Sequence, residues 1–195
     1  MRHGLKLAAT AAVLLALAGC ASVSSAPAGV LKVGDGEVTL GRQWSDISQI
    51  MPQRSKKVRL LSIEGPLLNR LYLTEGLAAG DFMIKPLAKE QPTPTVHADM
   101  SVSEQIEFVA STVSAMDYLH VATSHPRPMK LGGANGVRFD IDAATKAGLE
   151  IKGVGAVARS AAGKLYVVLY LAPSEHYFQA SLPEVETILA SAKVD

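Results

Sequence analysis

The sequence predicts an α+β domain, a largely antiparallel β-sheet flanked by helices. Three observations carry that expectation. Lys164–Ala172 (KLYVVLYLA) is apolar on both faces, as a central strand covered on each side must be. Gly136–Asp142 alternates, placing Val137, Phe139 and Ile141 on one face and Arg138, Asp140 and Asp142 on the other, the period of a half-buried strand. From Ser101 to about Asp117 the apolar positions Val102, Ile106, Val109, Val113 and Met116 recur instead at helical spacing.

The elements follow in chain order. Val30–Val33 and Glu37–Leu40 flank Gly34-Asp35-Gly36, a hairpin signal. Gln43–Met51 reads as a short helix stopped by Pro52. Lys57–Ile63 and Leu67–Leu73 are β-like runs divided by Gly65-Pro66. Gly76–His97 contains Pro86, Pro92 and Pro94 and reads as a long exposed loop. Ser101-Val102-Ser103-Glu104 matches a capping box, in which a serine hydroxyl and a glutamate carboxylate each satisfy an orphan backbone N–H of the helix start. Leu149–Arg159 is a further β-like run, and Ala161-Ala162-Gly163 a turn. Ser181-Leu182-Pro183-Glu184 repeats the capping logic, with proline in a tolerated first-turn position. Val185, Ile188, Leu189 and Ala192 would form the buried stripe of that closing helix.

Composition narrows the function classes. The chain has 195 residues, with 19 basic against 18 acidic, so the electrostatic basis for nucleic-acid binding is absent. One cysteine excludes an internal disulfide framework and a cysteine-rich metal site.

The N-terminus carries an address. Arg2 and Lys6 precede a 12-residue run, Leu7–Ala18, interrupted only by Thr10. A membrane-spanning helix needs about 20 apolar residues, whereas the hydrophobic part of an export signal needs about 7–15. Leu17-Ala18-Gly19-Cys20 then resembles the lipobox of bacterial lipoproteins. The resemblance implies a diacylglyceryl group on the Cys20 sulfur, cleavage between Gly19 and Cys20, and acylation of the new amine; Ala21 after the cysteine implies the outer membrane. Two or more acyl chains hold a protein durably where one does not. The expected organisation is a signal peptide over 1–19, a lipidated N-terminus and flexible tether over 20–29, and a single α+β domain over 30–195. Nine extended tether residues would reach about 30 Å.

The order from Gly136 to Lys193 resembles the Mog1/PsbP-like family: the alternating strand GVRFDID, two hydrophobic strands ending at Ala172-Pro173, the aromatic segment His176-Tyr177-Phe178, and a last helix containing Ile188-Leu189-Ala190-Ser191. It implies an α/β/α sandwich that acts as an assembly or adaptor module, with no catalytic residues to transfer.

Chemistry-bearing patterns are few. Gly153-Val154-Gly155-Ala156-Val157-Ala158 has the spacing of a dinucleotide fingerprint, but too little chain separates it from the strand at Leu165 for the helix such a site requires. Small residues in a β-hairpin under a packed helix explain it better. Gly132-Gly133-Ala134-Asn135-Gly136 lacks the Lys-Ser/Thr of a phosphate loop and reads as a turn. His97, His120, His125 and His176 show no metal-ligand spacing. Asp140 and Asp142 share a strand face with Arg138, which favours a salt-bridged surface over acid–base catalysis. No GxSxG surrounds a serine. Arg54, Lys56, Lys57 and Arg59 form a basic run suited to blunting a strand edge or, less simply, to touching anionic head groups. Tyr166 and Tyr170 point the same way and suit core packing.

The expectation is therefore an outer-membrane-anchored periplasmic lipoprotein acting as a non-catalytic binding or assembly module for another envelope component, with an envelope protein as partner and without catalytic, cofactor or metal residues. The alternatives are a lipid or small-ligand carrier with a pocket between sheet and helix, and a hydrolase with an unrecognised site.

Overall fold

The computed structural model describes residues 23–85, 90 and 92–194. In chain order the strands are β1 (Ser24–Ala26), β2 (Gly29–Val33), β3 (Gly36–Leu40), β4 (Trp44–Asp46), β5 (Val58–Ser62), β6 (Arg70–Thr74), β7 (Leu119–Leu131), β8 (Ala134–Ala144), β9 (Glu150–Arg159) and β10 (Leu165–Pro173). Helix α1 (Val102–Ala115) precedes β7, and helix α2 (Tyr177–Ser191) follows β10. Eight strands form one sheet in the order β1-β4-β5-β6-β10-β9-β8-β7, and every neighbouring pair is antiparallel. β2 and β3 form a separate hairpin turned at Gly34, whose φ of 60° needs no Cβ to accommodate.

The sheet has two covered faces. On one, Leu60, Tyr72, Phe139, Val157, Val167 and Leu169 pack against Phe108, Val109 and Val113 of α1. On the other, Leu61, Leu71, Ala156, Val168 and Tyr170 pack against Phe178, Val185, Ile188 and Leu189 of α2, together with Val33, Val38 and Leu40 of the hairpin. The result is an α+β domain in three layers, as expected. β10 lies inside the sheet and is buried at all nine positions, which is why its sequence shows no polar alternation. In β8, Val137, Phe139 and Ile141 face α1 as their alternation predicts.

Helix α1 begins as its sequence says. Ser101 Oγ accepts from Glu104 N at 3.3 Å, while Ser101 N donates to Glu104 Oε2 at 2.7 Å. Helix α2 begins earlier than expected. It starts at Tyr177, so the aromatic segment and the last helix are continuous, and Ser181 and Pro183 lie inside the helix. The Ser181 hydroxyl is enclosed and does not cap. Pro183 is therefore not in the first turn as expected but the seventh helical residue, where the N–H it lacks would have bonded the Gln179 carbonyl.

Two further expectations change, and one strand goes unmarked in the sequence. Gln43–Met51 is not a helix: Trp44–Asp46 is β4, and only Ser48–Ile50 makes a single 3₁₀ turn. Burial of Trp44 and pairing of Asp46 with Leu61 outweigh the local helical pattern. Part of the expected tether is folded, because Ser24–Ala26 pairs with β4 and Ala26 is buried, and β2 begins at Gly29. Residues 119–131, which carry Pro126 and Pro128, form the longest strand. β7 is a sheet edge, where proline is tolerated because one side of the backbone has no ladder to complete. The strand is irregular between Leu119 and Ala122 and between Ser124 and Arg127, and His120 and His125 take positive φ at these points.

Candidate functional site: a groove along the first helix

An open groove of about 570 Å³ runs between α1 and the Pro92–Thr95 segment. Its floor is a stripe of α1, Glu104, Glu107, Phe108, Ser111, Ser114 and Ala115, recurring at the three- and four-residue spacing of one helix face. This stripe lies beside, not under, the Val109 and Val113 positions that bind the sheet. Met100, His97 and the Pro-Thr-Pro-Thr wall close the other side. The wall is held by Val96, which is buried, donates its N–H to Asp81 O and accepts from Gly80 N, each at 2.8 Å. Arg159 Nη2 adds a bond to His97 O at 3.1 Å.

The groove is more apolar than polar, and among the described residues its carboxylates are Glu104 and Glu107 and no lysine or arginine lines it. Hydrogen bonds from Ser101 hold the Glu104 carboxyl below its ordinary range, helped by the nearby His97. Glu107 Oε1 accepts the Ser111 hydroxyl at 3.2 Å. Both carboxylates bond to groups of the helix itself, Glu104 within the capping box and Glu107 to Ser111. The sequence marked α1 as amphipathic, but Glu107, Ser111 and Ser114 carried no signal as site residues. The wall lies in the predicted loop, and only folding sets it against the helix.

The sequence candidates are dispersed. Ser124, His125 and Asp140 do converge: Ser124 Oγ lies 3.0 Å and Asp140 Oδ2 3.2 Å from His125 Nδ1. Both contacts fall on the same ring nitrogen, whereas a catalytic triad needs the hydroxyl and the carboxylate on different ones. The group also sits on the open β7 edge, with the histidine side chain 77% exposed. Arg138, whose side chain is only 7% exposed, pairs with Asp140 and reaches Glu186 of α2 at 2.7 Å; Asp142 pairs with Lys152 at 3.0 Å. Asp140 and Asp142 thus belong to a salt-bridged sheet surface, as expected.

Gly153 and Gly155 lie within β9, with no helix after them. A Cβ on Gly155 would stand 2.5 Å from the Phe139 ring, and one on Gly153 2.7 Å from Leu171 Cδ2. They are glycines because neighbouring strands' side chains lie across them. Gly132 and Gly133 form the β7–β8 turn. Tyr166 and Tyr170 are buried.

The basic run does not blunt an edge, since β5 lies between β4 and β6. Arg54 donates to the carbonyls of Ser48, Ser55 and Val58, Lys57 pairs with Asp81 at 2.6 Å, and Arg59 with Asp46 at 2.8 Å. Among the described residues, no three His, Cys, Asp or Glu side chains gather as metal ligands, and no helix is long and apolar enough to cross a membrane. Gly19 and Cys20 lie outside the described residues.

No family model matches the chain, and no curated protein matches its sequence. Solved structures do match. The Ran-binding protein Mog1p of Saccharomyces cerevisiae aligns over 89% of this chain and 95% of its own, at 8% identity and a TM-score of 0.53. The cyanobacterial PsbP protein, CyanoP, of Synechocystis aligns over 91% of this chain and 95% of its own, at 13% identity and a TM-score of 0.53. LpqN of Mycobacterium tuberculosis aligns over 88% and 90% at 12% identity, with a TM-score of 0.40 that is too low to bear on the fold. The chain therefore shares with Mog1p and CyanoP an α+β fold, a mostly antiparallel sheet with two helices packed on it.

Proposed function

We propose that this protein is a non-catalytic binding module, anchored through acylated Cys20 at the periplasmic face of the outer membrane, whose α1 groove takes an apolar, basic segment of another envelope protein. The observation that carries the reading is the groove itself, open, more apolar than polar, with Glu104 and Glu107 on its helix side and no lysine or arginine among the described lining residues. An extended or helical segment with spaced apolar residues and a lysine or arginine facing Glu107 complements it in shape and charge. The fold is compatible with a protein partner, since Mog1p is a Ran-binding protein. The carrier alternative expects a closed pocket between sheet and helix, but this groove is open and lies on the flank of α1.

The anchor reading rests on Leu17-Ala18-Gly19-Cys20 following the apolar run. Since β1 begins at Ser24, only about 14 Å of extended chain would separate Cys20 from the sheet. The body would then ride against the bilayer, closer than the full tether of 20–29 would allow.

A photo-cross-linker at Ser114, which is exposed, should trap one envelope protein in cells. The purified pair should bind in a salt-sensitive manner, and Glu107→Lys should weaken it about tenfold. A trapped protein whose purified affinity ignores both salt and Glu107→Lys, or a Ser114 position that traps nothing, refutes the groove. Independently, Cys20→Ser should move the protein from the membrane fraction to the soluble periplasm, and unchanged fractionation refutes the anchor.

A further inference from the structure

A second cavity of about 320 Å³ lies beyond the C-terminal end of α1, on the same side of the sheet as that helix. Its polar lining residues are Gln53, Arg70, Asp117, Thr145 and Lys146, and its apolar ones include Met51, Met116 and the ring of Tyr118. It shares no lining residue with the α1 groove.

Arg70 opens β6 and is paired with Leu171 of β10, so its side chain shares a face with Tyr72 two residues on, and Tyr72 belongs to the core under α1. The Nε of Arg70 donates to Pro66 O at 2.6 Å, which fixes the guanidinium plane. Among the described residues Arg70 has no carboxylate partner, whereas Lys146 beside it is neutralised by Asp117 at 2.7 Å. Among the described residues the carboxylate that lines the cavity, Asp117, is taken by Lys146, so the half-buried Arg70 guanidinium faces the space without a carboxylate of its own, an arrangement an anion would complete. The Tyr72 hydroxyl is fully enclosed beside Arg70, and burial pushes it up to about 12 against the opposing influence of that cation, so it remains neutral. Tyr118 brings a second hydroxyl to the neighbourhood of Arg70.

We propose that this cavity binds a small organic anion, a carboxylate or phosphate monoester on a compact apolar body, with Arg70 taking the anionic oxygens and Met51, Met116 and Tyr118 the apolar part. Guanidinium is the side chain best matched to two oxygens of one anion, and its remaining amino groups extend beyond the bond to Pro66. The thioethers of Met51 and Met116 adapt to an apolar body of varied shape. The volume sits at the lower end of small-molecule sites, which excludes a whole phospholipid. The site stands apart from the groove, and its success or failure leaves the partner-binding reading untouched.

The test is an amide-resolved NMR titration of the full chain carrying Cys20→Ser with hexanoate, hexyl phosphate and hexanol. Saturable shifts at Gln53, Asp117, Tyr118 and Lys146 are expected with at least one anion, about tenfold or more tighter than with hexanol. The better of the two anions tells carboxylate from phosphate. Arg70→Gln should abolish the preference over hexanol, and Arg70→Lys should retain part of it. Tyr118→Phe, which leaves the Arg70–Pro66 bond in place, should weaken binding severalfold and serves if Arg70→Gln does not fold. The proposal is overturned by hexanol binding as well as the anions, by shifts away from these residues, by the absence of saturable shifts, or by folded variants that bind as the parent does.

Discussion

Gly155→Ala tests whether the glycines of β9 exist for packing. Phe139 and Gly155 are directly opposite in the β8–β9 register, and Phe139 is completely buried. The new methyl would meet three ring carbons, Cζ at 2.5 Å, Cε2 at 2.6 Å and Cε1 at 3.1 Å. Carbon atoms rest about 3.5–4.0 Å apart, so the ring or the strand must move by about 1 Å. The ring cannot swing into solvent, because Val109, Val113 and Val157 belong to the same core. Overpacking of this kind costs about 1–3 kcal/mol, partly offset by the smaller chain entropy of alanine when unfolded, about 0.4–1 kcal/mol. A net loss of about 1–2 kcal/mol corresponds to roughly 2–8 °C in Tm for a chain of this size. The assay is urea denaturation of Gly155→Ala, Phe139→Leu and the double variant. Leucine removes the ring carbons that clash, so the double variant should be more stable than the sum of the single losses by at least about 0.5 kcal/mol. A neutral Gly155→Ala, or strict additivity, refutes the argument that the Phe139 ring dictates glycine at this position.

Other perturbations have outcomes as definite. Ser101→Ala removes one half of the capping box and should cost about 1 kcal/mol by denaturation. At Asp46, burial favours the neutral acid, but hydrogen bonds from Ser48 and the pair with Arg59 prevail and hold the carboxyl below its usual 3.8. Its contribution is present above that value and lost as pH falls through the lower folded one, so Asp46→Asn should be less stable than the parent at neutral pH and converge with it in strong acid. Parallel curves across the acid range would contradict this. Asp142→Ala breaks an exposed pair and should change stability by less than about 0.5 kcal/mol, whereas Glu186→Ala, which takes a partner from the nearly enclosed Arg138, should cost about 1 kcal/mol. Equal losses for the two would mean that burial of Arg138 does not govern the difference.

Legibility follows the range of the interaction responsible. The capping box at Ser101 and Glu104, the alternation of Val137, Phe139 and Ile141, and the unbroken apolar run of β10 each depend on neighbours within one turn or one strand, and each was readable. Elements held by distant partners were not. Trp44–Asp46 is a strand because Leu61 and Ser62 pair with it, and Leu119–Leu131 is a strand because β8 supplies a partner that its prolines would locally forbid. Helix α2 runs through Ser181 and Pro183 because Phe178, Val185 and Ile188 all find the same sheet face. The cavities were the least legible of all. Glu107 and Pro94, or Arg70 and Lys146, are remote in sequence, and no spacing rule joins them.

The sequence by itself therefore determined the class of fold, the start of α1, the central strand and the likeness of residues 17–20 to a lipidation signal. The tertiary structure alone decided which glycines are packed under a ring, which charges are neutralised, and where an open groove and a half-buried arginine beside a cavity are placed. The physical reason is that periodicity and capping are properties of adjacent residues, whereas a groove or a cavity is defined by segments that meet only once the sheet has formed.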